Sequence, residues 1–109
     1  MSKIIKNNIG FKINEQQCDR YLKWRKEIDV KIISLEIEQG RRLYDGEVLD
    51  QSQIDSRKQQ LITGQVQVYY GVAEPGYIFT FIPTPVINIV RVKNSLTGDE
   101  IDLTDYKNW

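Results

Sequence analysis

The feature that most constrains the fold of this chain is a change of hydrophobic period at Gly64. Before it, apolar residues recur every three or four positions, as on one face of a helix; after it they alternate, as on a strand with two unlike faces. Helices first and strands second, in two blocks rather than interleaved, predict an α+β domain with helices laid on an antiparallel sheet. At 109 residues the chain has the length of one domain, and no biased or low-complexity run sets a segment apart. One unit is expected over 1–109, helical over about 14–63 and β over about 65–103.

Asn14 followed by Gln17 has the form of a capping box, with Ile13 placed to staple it, so a helix should start there. Cys18, Tyr21, Leu22, Ile28, Ile32 and Leu35 then form an apolar stripe, with the stem of Arg25 filling its gap. The stretch 28–37 reads two ways. Ile28, Val30 and Ile32, then Ile33, Leu35 and Ile37, alternate like a strand with one slip of phase. As a helix the same stretch carries two stripes, Ile28, Ile32 and Leu35 on one side and Val30, Ile33 and Ile37 on the other.

The lack of Gly and Pro between residues 11 and 39 favours one long helix closed by Gly40. Apolar on two sides, such a helix calls for cover on both, from its own domain and from a second layer or a second copy. A turn at Asp45-Gly46 leads to a shorter helix, capped by Asp50 or Ser52 and ended by Gly64. Its narrow apolar edge of Ile54, Leu61 and Ile62 places it on the surface.

The β half is expected as a meander of three to four strands. Val66, Val68, Tyr70 and Val72 share a face of the first; a turn at 73–76 leads to a second, with Tyr77, Phe79 and Phe81 on one face and Ile78, Thr80 and Ile82 on the other. Pro83 and Pro85 bar a regular ladder and open a bend into a third strand, 86–93, and a short fourth follows at 100–103. Apolar on both faces, the second strand suits a central position. Its far face would be covered by the segment holding Ile4, Ile5, Ile9 and Phe11, or by another subunit.

The chemistry-bearing residues narrow the function. There is no histidine and a single cysteine, Cys18, which falls among apolar helix positions and reads as a buried thiol. Neither a His-based nucleophile nor a soft-metal cluster can be assembled from one copy, and no serine sits in a nucleophile elbow. The seven glycines are dispersed as punctuation rather than gathered into a phosphate loop. Asp99, Glu100, Asp102 and Asp105 carry oxygen ligands but lack the spacing of a calcium loop, so a solvated strand edge is the better reading. A non-enzymatic protein with no catalytic set, cofactor or metal is expected.

Fifteen basic residues balance fifteen acidic ones, which removes the global field that would steer the chain to nucleic acid or to a membrane surface. The charge is uneven: residues 1–31 carry eight basic side chains against four acidic, and residues 94–109 one against four. With no signal peptide and no span-length apolar run, a cytoplasmic location is expected. Small size and a Lys-, Ile- and Asn-rich composition suit a bacterial or phage origin.

Three functional readings follow. The leading one is an adaptor or inhibitor that binds another macromolecule through protein contacts and self-associates as a homo-oligomer, with Trp24, Tyr69, Tyr77 and Trp109 as candidate partner contacts, because aromatic side chains anchor such interfaces. The second is a nucleic-acid-binding accessory protein using Arg20, Lys23, Lys26, Arg41 and Arg42, with Trp24 to stack a base; zero net charge disfavours it. The third is a binder of a small anion such as a nucleotide, formed between subunits by Arg41, Arg42 or Arg91 and the tyrosines.

Overall fold

The computed structural model describes residues 13–71 and 76–106, and the expectations for the N-terminal segment, for Val72, for the turn at 73–75 and for Trp109 lie outside them. Within these residues two helices, α1 (Glu15–Gln39) and α2 (Gln51–Thr63), precede three strands, β1 (Tyr77–Pro83), β2 (Asn88–Asn94) and β3 (Glu100–Asp102). The strands form one antiparallel sheet in the order β1-β2-β3. The expected α+β arrangement, helices first and an antiparallel sheet after, is the one observed.

The capping box at Asn14 forms in both directions: the Gln17 N–H donates to Asn14 Oδ1 at 2.8 Å and the Asn14 N–H to Gln17 Oε1 at 2.9 Å. The ambiguous stretch 28–37 is helical. Gly40 closes α1 with φ +65°, a left-handed conformation that costs glycine nothing, and its N–H returns to the Glu36 carbonyl. Asp50, rather than Ser52, caps α2 through a second complete box with Gln53.

The α1 stripe is corrected in two places. Leu22 is exposed and Leu35 only half-buried, whereas Gln17 and Glu36 are buried in polar roles. Gln17 donates to the Leu103 carbonyl, which ties the start of α1 to the chain after β3. Cys18 is buried, as its neighbours suggested.

Length explains why α1 needs two partners. Twenty-five residues of helix extend about 37 Å, against roughly 23 Å for a seven-residue strand. Its first part, through Tyr21, Ile28 and Ile32, packs with Tyr77, Val90, Val92 and Leu103 in the core. The second half meets α2. There Glu36, 1% exposed, accepts from Arg57 Nε and from the Leu43 N–H, each at 3.0 Å. Ile33, one turn earlier on that face, is also buried.

The expected strand at 66–72 is not one: residues 65–71 join no ladder. Their alternation is real over 65–70, where Val66, Val68 and Tyr70 are half-buried and Gln65, Gln67 and Tyr69 exposed. Alternating burial requires only an extended backbone, and side-chain anchoring supplies here what ladder bonds would have supplied. Among the described residues no strand pairs with the outer side of β1, so β2, not β1, is the middle strand of the described sheet. The bend at 84–87 is tied by Thr84, whose N–H and hydroxyl both bond the Ile87 carbonyl.

Replacing Arg57 by Met should leave the Glu36 carboxylate buried without its cation. A loss of about 2–3 kcal/mol in urea unfolding is expected, with a clearly smaller loss when Glu36→Gln is added.

Candidate functional site

Polar side chains converge where α1 crosses the sheet. Tyr21, Arg25 and Asp29 stand four residues apart on one face of α1. The Tyr70 and Tyr77 hydroxyls both donate to Asp29 Oδ1, at 2.8 and 2.6 Å, and Asn94 Nδ2 donates to the Tyr70 oxygen at 3.2 Å. Arg25 lies 3.7 Å from Asp29 Oδ2, with its guanidinium 5.0 Å from the Tyr77 ring centre and Nη1 donating to the Tyr21 hydroxyl at 3.2 Å. The extended segment, β1 and β2 are thereby tied to one helical carboxylate.

Burial, then the hydrogen bond to Asp29, pushes the Tyr77 phenol far above its ordinary range. Burial pushes Tyr70 up to about 12, the bond to Asp29 adding to the shift. At neutral pH both are protonated donors. The cluster is therefore built to hold the layers together.

A second arrangement projects from the loop between the helices. That loop is pinched by the Arg41–Val48 bridge and by the Arg42 N–H bonded to the Glu47 carbonyl. The Tyr44 ring lies directly over Gly71, where a Cβ would have no room and where φ is +84°. Tyr69 meets Tyr44 edge-on at 5.6 Å, and the Arg42 guanidinium sits 5.1 Å from the Tyr69 ring centre. Arg42 is fixed in turn by Asp45, at 3.0 and 2.5 Å, and by Glu47 at 2.8 Å. The Arg42 hydrogen bonds hold the Asp45 carboxyl down at about 2. Tyr69, 48% exposed, and Tyr44 face solvent as a pre-positioned pair.

The residues singled out from sequence fall in separate places. Tyr77, 8% exposed, is a core residue, and Trp24 is half-buried with its ring against Tyr77 at 5.6 Å. Tyr69 is on the surface, pointing opposite to Tyr70. Arg20 donates to the Asp102 carbonyl and, with Lys23 and Trp24, lines a shallow cleft closed by Glu27 and Ile101. Lys26 opens onto a different cleft beside Leu22, Asp29 and Val66. Arg41 bonds the Gly46 carbonyl. The five cations therefore form no single surface.

Three of the four carboxylates in the acidic run, those of Asp99, Asp102 and Asp105, have partners. Asp99 accepts from Lys31 at 2.8 Å, which holds its carboxyl below the usual range, and Asp102 accepts from the Thr104 N–H and the Tyr106 hydroxyl. Asp105 accepts from Asn14. Among the described residues no three candidate ligands are grouped for a metal ion, and no helix is long and apolar enough to cross a membrane.

Sequence reasoning missed the Asp29 cluster, Tyr44 and the Glu36–Arg57 pair. Only the first had a signal, the four-residue spacing of Tyr21, Arg25 and Asp29. Comparison of the chain with protein-family models, curated proteins and solved structures finds no match.

The raised phenols set an alkaline limit. Folded Tyr70 keeps its proton to about pH 12, while an unfolded tyrosine releases it near pH 10.0, so between those values the native state binds more protons. Stability is full below pH 10 and falls as pH rises through that window. A melting series from pH 8 to 12 should show this decline. Tyr70→Phe should melt lower at pH 8 and decline less steeply.

Proposed function

We propose that the chain is a non-enzymatic, cytoplasmic binding protein that acts by contact with another protein, as an adaptor or an inhibitor of a larger macromolecule, and that it self-associates. The observation that carries the reading is the exposed Tyr44–Tyr69 pair with Arg42 beside it. Tyrosine and arginine are the side chains on which interface energy concentrates, and a pair already held in place loses little entropy on binding. Val48, strongly exposed in the same loop, adds apolar area.

The other two readings draw less support. Arg42 is already spent on Asp45 and Glu47, which leaves it poorly placed to receive an anionic ligand. Nucleic-acid contact would draw on Arg20 and Lys23, yet Trp24 turns its ring to Tyr77 and Lys26 faces elsewhere.

The test is a nuclease-treated pull-down from the native host, run with the unaltered chain, Tyr69→Ala, and Arg20→Glu with Lys23→Glu. A discrete protein should be retained by the unaltered chain and the double variant. Tyr69→Ala should weaken its capture roughly 30-fold, the effect of a central anchor worth about 2 kcal/mol. Melting of Tyr69→Ala should stay close to that of the parent, because the residue is exposed. Capture that vanishes with nuclease, or that only the charge reversal abolishes, would favour nucleic acid instead.

A further inference from the structure

The buried apolar residues of the helical half do not all belong to one core. Cys18, Tyr21, Ile28 and Ile32 join Tyr77, Val90, Val92 and Leu103 in the cluster between α1 and the sheet. Ile33, 1% exposed, and Leu49, 6% exposed, stand outside that cluster. Ile32 and Ile33 are adjacent and both almost fully hidden, yet a helix turns successive side chains about 100° apart, so different elements hide them. Ile33 lies one turn before Glu36, the residue whose carboxylate accepts from Arg57 of α2.

α2 covers that face with little burial of its own. None of its residues is buried: Ile54, Arg57, Gln60 and Leu61 are half-buried, and the others, Ile62 among them, are exposed. A helix of 13 residues is marginal once it leaves its support. The Glu36–Arg57 pair is a latch rather than a weld. Desolvation offsets much of the attraction between two hidden charges, so opening, which rehydrates both, costs less than the separation of a packed apolar surface.

The chain on either side of α2 is held without it. Before it, the Leu49 N–H donates to the Gly40 carbonyl at 2.9 Å; after it, Tyr70 donates to Asp29. Gly64, with φ +75°, ends the helix, and residues 65–67 join no ladder, their link to α2 being the Gln67 N–H on Gln60 Oε1. Local stability follows the buried apolar contacts that an opening must break. Undocking α2 breaks the Glu36–Arg57 pair and uncovers Ile33, and it leaves the sheet-side cluster and the Asp29 joint intact.

We infer that α2 is a lid, which opens as a unit between Leu49 and Tyr70 while α1 and the sheet stay folded. Glu36 Oε2 also accepts from the Leu43 N–H, so one carboxylate serves both the lid and the loop that carries Tyr44, and opening slackens that loop. The lid is a property of the fold alone and stands whether or not Tyr44 and Tyr69 meet a protein.

Thiol labelling of the full chain carrying Ile33→Cys, read by peptide mass, tests it. Cys18, buried in the sheet-side cluster, is the reference for global opening in the same molecule. Position 33 should be labelled at least roughly 30-fold faster than Cys18 and with a shallower urea dependence, because lid opening exposes less surface than unfolding. Adding Val92→Ala should speed Cys18 roughly tenfold and leave position 33 unchanged, since the stability of the sheet does not enter the opening of the lid. Adding Arg57→Met should speed position 33 roughly 30-fold. Hydrogen exchange on the unaltered chain excludes a lid loosened by the new cysteine: amides of residues 57–61 should exchange with the same shallow urea slope, well ahead of Val92. Equal rates and slopes at position 33 and Cys18, acceleration of both by Val92→Ala, indifference of position 33 to Arg57→Met, or α2 amides that exchange only together with those of the sheet would overturn the proposal.

Discussion

Two phenols donating to one carboxylate oxygen, Tyr70 and Tyr77 onto Asp29, join parts of the chain that share no ladder. Asp29 is on the long helix, Tyr77 begins the sheet, and Tyr70 ends the extended segment between them. Hydrogen bonds to a charged acceptor contribute about 1.5–3 kcal/mol each, more than a neutral pair. Asn94 extends the set to β2 through the Tyr70 oxygen, and Arg25 supplies the positive charge beside it. Tyr21, Trp24 and Tyr70 pack around Tyr77 with ring centres 5.6 to 5.9 Å apart, so the polar joint sits inside an aromatic one.

From that joint the rest of the architecture follows. With the first part of α1 fixed to the sheet, its remaining turns project past the strands and must find another partner. The Glu36–Arg57 pair, with Ile33 beside it, makes α2 that partner. The connection between the helices is then held as a pinched loop at the far end of α1, where Tyr44 can reach Gly71 and Tyr69. The extended segment serves both ends at once: Tyr70 points in to Asp29 and Tyr69 points out to Tyr44. Opposite faces of one extended stretch thus couple the core to the exposed aromatic pair.

Much of this was legible in the sequence, and the reasons are local. Asn14 with Gln17, Gly40 and Gly64 mark helix ends through hydrogen bonds made within a few residues, so their spacing is sufficient evidence. The alternation of 77–82 and 88–94 reports two faces of a strand and is similarly local. Residues 65–71 were misread because burial alternates in any extended chain, whereas ladder pairing depends on a partner elsewhere. The same error put β1, rather than β2, in the middle of the described strands. Glu36 reads as an ordinary polar helix position until Arg57, twenty-one residues on, is brought beside it. Of the candidate contacts, alternation sets Tyr69 on the face opposite Tyr70 but does not say which face is exposed; Tyr69 is exposed and Tyr77, an aromatic residue in a similar alternating segment, is buried.

The most direct test of the Asp29 joint is native-state hydrogen exchange, residue by residue, on the unaltered chain and on Asp29→Ala. If the carboxylate holds the two layers together, amides of Ile28 and Ile32 in α1 and of Val92 in β2 should lose protection together and by similar factors. Loss confined to the turns of α1 around residue 29, with Val92 protected as before, would contradict it and leave apolar packing alone as the link between helix and sheet.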